Sequence, residues 1–314
     1  IAKTEKEKEE IYNTYVTGEP EEIYSKLAVE PVLRTYVLSL ISTGFANSRG
    51  SLLSFFEKTF YGFQYGDMDK LGYIIDKILD LLDEWDFIKQ NKIEQQKEDF
   101  VSADFVSASN VKDSKIEVTK IGQRVAELYL DPYTAFQIIT ALRRATQISI
   151  NEFSFIQMAT STLELRPLST VRVKETDKIE NLISEYSDQL IVLEPSVFEP
   201  EYDDFLKSFK TAFALLNWMD EKTEDDILEE FNITPGELHA KRNLIDWILY
   251  STEELANLLQ FRDLIKEIRK ARYRIDKGVK EELIPLVRLK GIGRVRARKM
   301  FNNGIKTIGD VKKA

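Results

Sequence analysis

The chain has 314 residues, room for two or three domains, and its 43% hydrophobic and 11% aromatic content is enough for packed cores. It has no cysteine and one histidine, His239, and none of its 13 glycines is followed by lysine. Disulfides, zinc ribbons, iron–sulfur clusters, thiol nucleophiles, two-histidine metal motifs and a P-loop are thereby excluded, which leaves mainly binding functions. The net charge of −9 is unevenly spread: residues 262–314 carry 17 basic and 6 acidic side chains, net +11, on a body of net −20, so the tail is expected to face a polyanion.

Residues 1–18 are charged and reach a Gly18-Glu19-Pro20 break, which reads as a strand end or linker from something upstream. They lack an apolar signal-peptide core, and no apolar run approaches the roughly 18–20 residues that cross a bilayer, so a cytoplasmic, chromosome-associated protein is expected. Residues 21–88 read helical. Val32, Leu33, Tyr36, Val37, Leu40 and Ile41 recur at three- and four-residue spacing up to Gly44. A short second helix holds Leu52 to Phe60, and a third runs from about Asp67 to Trp85. A polar stretch, 90–114, then separates Phe87-Ile88 from the alternating Ile116-Glu117-Val118-Thr119. Three helices followed by two short strands around a loop is the plan of a winged helix, here with a long wing, closed by a helix over Gly122 to Leu130. Asp83-Glu84-Trp85-Asp86 spells a helicase ATPase motif but ends an amphipathic helix with no P-loop to serve, so it reads as a solvated helix end. Asp67, Asp69, Asp76 and Asp80 on the third helix would be repelled by phosphates, which argues against a major-groove reader.

Asp131-Pro132 is a helix start, an N-cap followed by proline at the first helical position. Helices are predicted near 132–145, 151–161, 174–190, 201–220, 224–231, 235–250 and 252–277, with a strand-like pause at Leu190 to Leu193. Thr234-Pro235-Gly236-Glu237 is a capping box. On the helix it opens, Leu238, Leu244, Ile245, Ile248 and Leu249 form the apolar stripe, while His239, Ala240, Asn243, Trp247 and Tyr250 lie opposite. Two readings of Trp247 stand: a second packing surface, or a platform on which a nucleobase stacks. His239 is a solvated helix residue or a contact to a nucleic-acid backbone or base. In the tail, Lys290-Gly291-Ile292-Gly293 precedes a helix bearing Arg294, Arg296, Arg298 and Lys299, in a layout close to a helix–hairpin–helix. Glycines that let a backbone approach closely, at the start of a basic helix, suit phosphate binding without sequence readout. A basic tip used for protein contact is the other reading.

In this order the pieces resemble the C-terminal part of an archaeal Ski2-like superfamily-2 DNA repair helicase of the Hjm (Holliday junction migration) type. The stretches that carry the resemblance are LRTYVLSLISTGFANSRGSLLSFFEKTFYG, VTKIGQRVAELYLDPYTA, LELRPLSTVRVKE, FKTAFALLNW, TPGELHAKRNLIDWILYS and GIGRVRARKMFNNGIKTIGDV, and it covers nearly the whole chain. It implies a mostly α fold: a remnant of the upstream motor at 1–18, a winged helix at 19–131, a seven-helix ratchet bundle at 132–280 and a basic helix–loop–helix domain at 281–314. It implies an ATP-dependent 3′–5′ helicase acting on stalled forks and branched DNA, with ATP and Mg²⁺ used by RecA-like motors that this fragment lacks. The fragment alone is expected to bind single-stranded and forked DNA, to hydrolyse nothing and to hold no cofactor or metal. The implied partners are the motors and replication or recombination proteins. In such proteins an aromatic residue on the ratchet helix stacks on the translocating strand, a position that Trp247 matches. A basic residue about two turns earlier is usual; here Ala240 stands there, so His239, then Arg242, would take its role, with Asn243 beside them. Lys290, Gly291, Gly293, Arg294, Arg296, Arg298 and Lys299 would grip DNA in the tail. An accessory cassette of a Ski2-like RNA helicase and a protein-interaction platform are the alternatives.

Overall fold

The computed structural model describes residues 2–19, 22–27, 29–90 and 115–313. The expected long wing and Pro20 lie outside these residues. Two compact units are formed, Ile1–Thr119 and Lys120–Ala314, and both are mostly helical.

The first unit begins with α1 (Glu5–Tyr15), a helix where a strand end or linker was expected. Its Glu/Lys-rich sequence is a good helix former, and the Thr4 side chain caps it by accepting from Glu7 N–H. No residue of α1 is buried. Residues 22–27 are not helical. The core follows: α2 (Glu30–Ser42), α3 (Arg49–Glu57), α4 (Phe60–Tyr65) and α5 (Met68–Glu84), then β1 (Ile88–Gln90) and β2 (Ile116–Val118). The strands pair antiparallel, Ile88 opposite Val118. Leu33, Val37, Leu52, Phe56, Leu71, Ile75, Ile78 and Ile88 are fully buried, but Val32, Tyr36, Phe55 and Phe60, which the spacing also places on the apolar faces, are exposed: each lies at the edge of its stripe, where, among the described residues, the small unit has no further layer to cover it. Helix α4 was not anticipated. The predicted second helix instead breaks at Lys58 and Thr59, and α4 ends at Gly66, whose φ of +61° closes the turn into the Asp67 cap of α5.

The second unit contains α6 (Lys120–Glu127), α7 (Pro132–Ala145), α8 (Glu152–Thr160), α9 (Thr176–Tyr186), α10 (Tyr202–Met219), α11 (Glu224–Phe231), α12 (Pro235–Leu258), α13 (Arg262–Lys277), α14 (Ile284–Val287), α15 (Arg294–Asn302) and α16 (Ile308–Val311). Every residue of α8 is buried, and α10, α12 and α13 pack around it. The pause at 190–193 is not a strand. Fully buried Gln157 instead clasps Val192, donating to its carbonyl and accepting from its N–H, both at 3.1 Å. The break expected between Tyr250 and Thr252 is also absent. Ser251 and Thr252 donate their hydroxyls to the carbonyls of Trp247 and Ile248, so both sit inside one helix of 24 residues. The chain turns later, at Gln260, where φ is +65°. The tail has a small core of its own: Val279, Leu283, Leu286, Val287 and Ala297, flanked by Ile292, Met300 and Phe301.

Among the described residues the buried side chains of Arg34, Glu152, Lys210, Glu253 and Arg274 sit in ion pairs, while buried Lys241 is held by the Pro167 carbonyl. Arg274 is 8% exposed and holds Glu152 at 3.0 Å, Asp220 at 2.7 Å and the Val279 carbonyl at 3.1 Å. Burial pushes the Glu152 carboxyl up, but its backbone hydrogen bond, Arg274 and Lys270 together outweigh that and hold it below the usual range. Glu164 is the opposite case. Burial pushes its carboxyl above the usual range, although it accepts from Thr134 Oγ1 at 2.7 Å and Asp131 N–H at 3.2 Å.

Arg274→Ala strips Glu152 of its closer partner and leaves it only Lys270 at 3.5 Å; it should cost about 3 kcal/mol, the lower end for a broken buried pair, read as a lowered midpoint in urea unfolding. A raised folded-state pKa means that Glu164 contributes stability below the ordinary Glu value and loses it as pH rises through the raised value. Wild type should therefore gain stability relative to Glu164→Gln as pH falls from neutral to below the ordinary glutamate range; thermal melts of both proteins across that range are the check.

Candidate nucleic-acid interface

Helix α12 starts as its capping box requires: Thr234 Oγ1 accepts from Glu237 N–H at 3.4 Å, and the Glu237 carboxylate accepts from Thr234 N–H at 2.8 Å. These bonds hold Glu237 below the usual carboxylate range. Leu238, Ile245, Ile248 and Leu249 face the core. His239 and Asn243 are exposed one turn apart, with Asn243 Nδ2 3.3 Å from His239 Nε2. Trp247 is half-buried, and its Nε1 donates to the Leu128 carbonyl at 3.3 Å. That bond fixes one edge of the indole and leaves part of the ring in solvent.

The basic residues near Trp247 divide by what they touch. Lys241 is buried and donates to the Pro167 carbonyl, and burial pushes its ammonium down. Arg242 donates to the carbonyls of Ile275 and Asp276, and its guanidinium lies 4.3 Å from the centre of the Trp218 ring. Of the residues singled out around the missing basic position, only His239 and Asn243 have side chains left in the open.

The tail divides in the same way. Arg294 lies over the same Trp218 ring, at 4.4 Å, and donates to the Lys222 carbonyl at 3.0 Å. Arg298 binds both Glu221 and Glu282, pairs that push its guanidinium up. Lys290, Arg296 and Lys299 are exposed; Arg296 donates to the Gly291 carbonyl at 2.7 Å. Gly291 has φ +82°, a conformation that favours glycine, and Gly293 is the N-cap of α15 with nothing within 4 Å of where a Cβ would stand. The loop between them thus leaves backbone open at a helix start.

Trp218 is the residue that sequence reasoning missed. It is 6% exposed, its Nε1 donates to the Ile275 carbonyl at 3.0 Å, and it gathers an arginine from α12 and another from α15. Gly278, at φ +61°, is the only residue type that fits beside it, since a Cβ there would stand 2.5 Å from the indole. The available signal was a tryptophan closing α10 with a glycine closing α13, which spacing alone does not connect.

The archaeal helicase domain 4 family model matches residues 153–278. The chain is 34% identical to the ATP-dependent DNA helicase Hel308 of Methanococcus vannielii, over all of this chain and 43% of the relative. It is 35% identical to that of Methanocaldococcus jannaschii, over 99% of this chain and 23% of the relative, and 31% identical to that of Pyrococcus horikoshii, over all of this chain and 41% of the relative. The chain thus spans less than half the length of these curated relatives. With matches that run from end to end of the sequence, and with the helical domain inside them, the chain belongs to the archaeal Hel308-type Ski2-like helicases and corresponds to their C-terminal part.

Proposed function

We propose that this chain is the strand-holding part of an ATP-dependent 3′–5′ DNA helicase that works on stalled forks and branched DNA. The observation that carries the proposal is the open face of α12, where Trp247 is pinned at one edge beside the exposed His239–Asn243 pair. A half-exposed indole on a rigid helix, with polar neighbours, suits sequence-independent stacking of a base. In this reading residues 132–280 are the ratchet domain around the translocating strand, and Trp247 holds a base between motor strokes. Residues 19–131 are a winged-helix module that links this domain to the motors. Residues 281–314 are a helix–loop–helix grip on the departing strand, through Lys290, Arg296, Lys299 and the Gly291–Gly293 backbone, while Arg294 and Arg298 dock it. ATP and Mg²⁺ act at the RecA-like motors of the whole protein, and replication or recombination proteins are its further partners.

Trp247→Ala should weaken single-strand binding by about 1–3 kcal/mol, the scale of one stacked base, with the salt dependence unchanged. Fluorescence anisotropy with single-stranded, duplex and forked DNA across a salt series checks this; an unchanged affinity would return Trp247 to a packing role. Replacing Lys290, Arg296 and Lys299 together by Gln should flatten the salt slope by about 0.7 for each phosphate that is no longer neutralised, the value for single strands. Arg294→Gln and Arg298→Gln should act instead on thermal stability.

A further inference from the structure

A trough of about 1220 Å³ opens along α13, walled on one side by α12 at Asp246, Glu253 and Asn257 and on the other by α14 and Arg288. Its cations fall into two sets. At the floor, charges are neutralised: Arg272 binds Asp246 at 3.0 Å and Glu253 at 3.1 Å, and Lys270 binds Glu267 at 2.8 Å and Glu281 at 3.2 Å. At the rim, Arg262, Lys266, Arg269 and Tyr273 follow one another at positions i, i+4, i+7 and i+11, all exposed. That spacing lays them in one stripe along the helix, about 6 Å between Arg262 and Lys266 and about 16 Å in all at 1.5 Å per residue. Lys266 makes no ion pair among the described residues, Arg262 donates only to the neutral Gln260 side chain, and Arg269, though paired with Glu253, keeps 62% of its side chain exposed. At the end of the stripe Arg288 lies over the ring of Tyr273, 5.2 Å from its centre.

We propose that this rim is a third strand-binding element, an inference that rests on the DNA-binding reading above. Arg262, Lys266 and Arg269 contact consecutive phosphates of a single strand as it passes between α12 and the tail, and Tyr273, with Arg288 behind it, offers a base platform. A row of cations ending in an aromatic ring is the combination that single-strand grooves use. The floor carboxylates have an equally definite effect: with Arg272 and Lys270 already paired, phosphates are held at the rim and do not sink into the trough. Grip of this kind is loose and independent of sequence, which suits a strand that must slide.

The test uses anisotropy with a labelled oligothymidylate over a salt series, with Trp247→Ala as reference. Arg262→Gln/Lys266→Gln should flatten the salt slope by about 1.4, two phosphates at about 0.7 each. Tyr273→Ala should weaken binding about tenfold at an unchanged slope, with Tyr273→Phe restoring it. A strand carrying bromodeoxyuridine should photo-crosslink to Tyr273. If the double variant keeps the wild-type slope and no crosslink forms while Trp247→Ala still weakens binding, the α13 rim is only a solvated face and the inference fails with the DNA-binding reading intact. If the wild type does not bind the strand at all, that reading fails and takes this inference with it. Arg262, Lys266 and Tyr273 are exposed and Trp247 is half-buried, so thermal melts of every variant separate lost binding from lost folding.

Discussion

The second unit turns on a single indole. Trp218 closes α10, bonds to the end of α13 through the Ile275 carbonyl, and lies under the guanidinium groups of Arg242 on α12 and Arg294 on α15. Four helices thus share one aromatic ring. Two like charges near one ring repel each other, and each is offset by carbonyl acceptors: Ile275 and Asp276 for Arg242, Lys222 for Arg294. Desolvated cation–π contacts are worth up to about 2 kcal/mol each, so the ring is a mechanical centre as well as a packed core residue. Gly278 is constrained by the same ring, since its missing side chain leaves the space that the indole fills.

That arrangement decides what the open face of α12 can offer. Arg242 and Lys241 are turned inward to hold the bundle, so the polar groups left beside Trp247 are neutral or weakly basic: His239 and Asn243. The open face of α12 therefore carries a partly buried indole with His239 and Asn243 near it, while exposed cations line α13 and the tail. The back-bonded hydroxyls of Ser251 and Thr252 keep α12 uninterrupted beyond Trp247, so the indole sits in the middle of one rigid helix.

Much of this was legible in the sequence because the signals were local. The Thr234–Glu237 box, the Asp131-Pro132 start and the bounds of α11 at 224–231 depend on residues within one turn of each other. The apolar stripe of α5 was readable for the same reason, whereas on α2 Val32 and Tyr36 fit the spacing yet stay exposed. The break expected between 250 and 252 is missing because the hydroxyls of Ser251 and Thr252 bond back to the preceding turn, which spacing alone does not show. At the candidate site the sequence revealed the charge but not its partners. Arg242, Arg294 and Arg298 count as basic residues available to DNA until the fold brings them to Trp218, Glu221 and Glu282, from 16 to 77 residues away. His239 and Trp247 were legible as faces of a helix, but the Leu128 carbonyl that orients the indole was not.

The tail is attached along two edges of different chemistry. One is the Arg298 bridge to Glu221 and Glu282, with side chains partly in water; the other is Arg294 on the buried Trp218 ring. Dissolved ions screen the first far more than the second. The two attachments therefore differ in their sensitivity to salt: a rising ionic strength weakens the carboxylate pairs of Arg298 well before it weakens the hold of Arg294 on the buried ring.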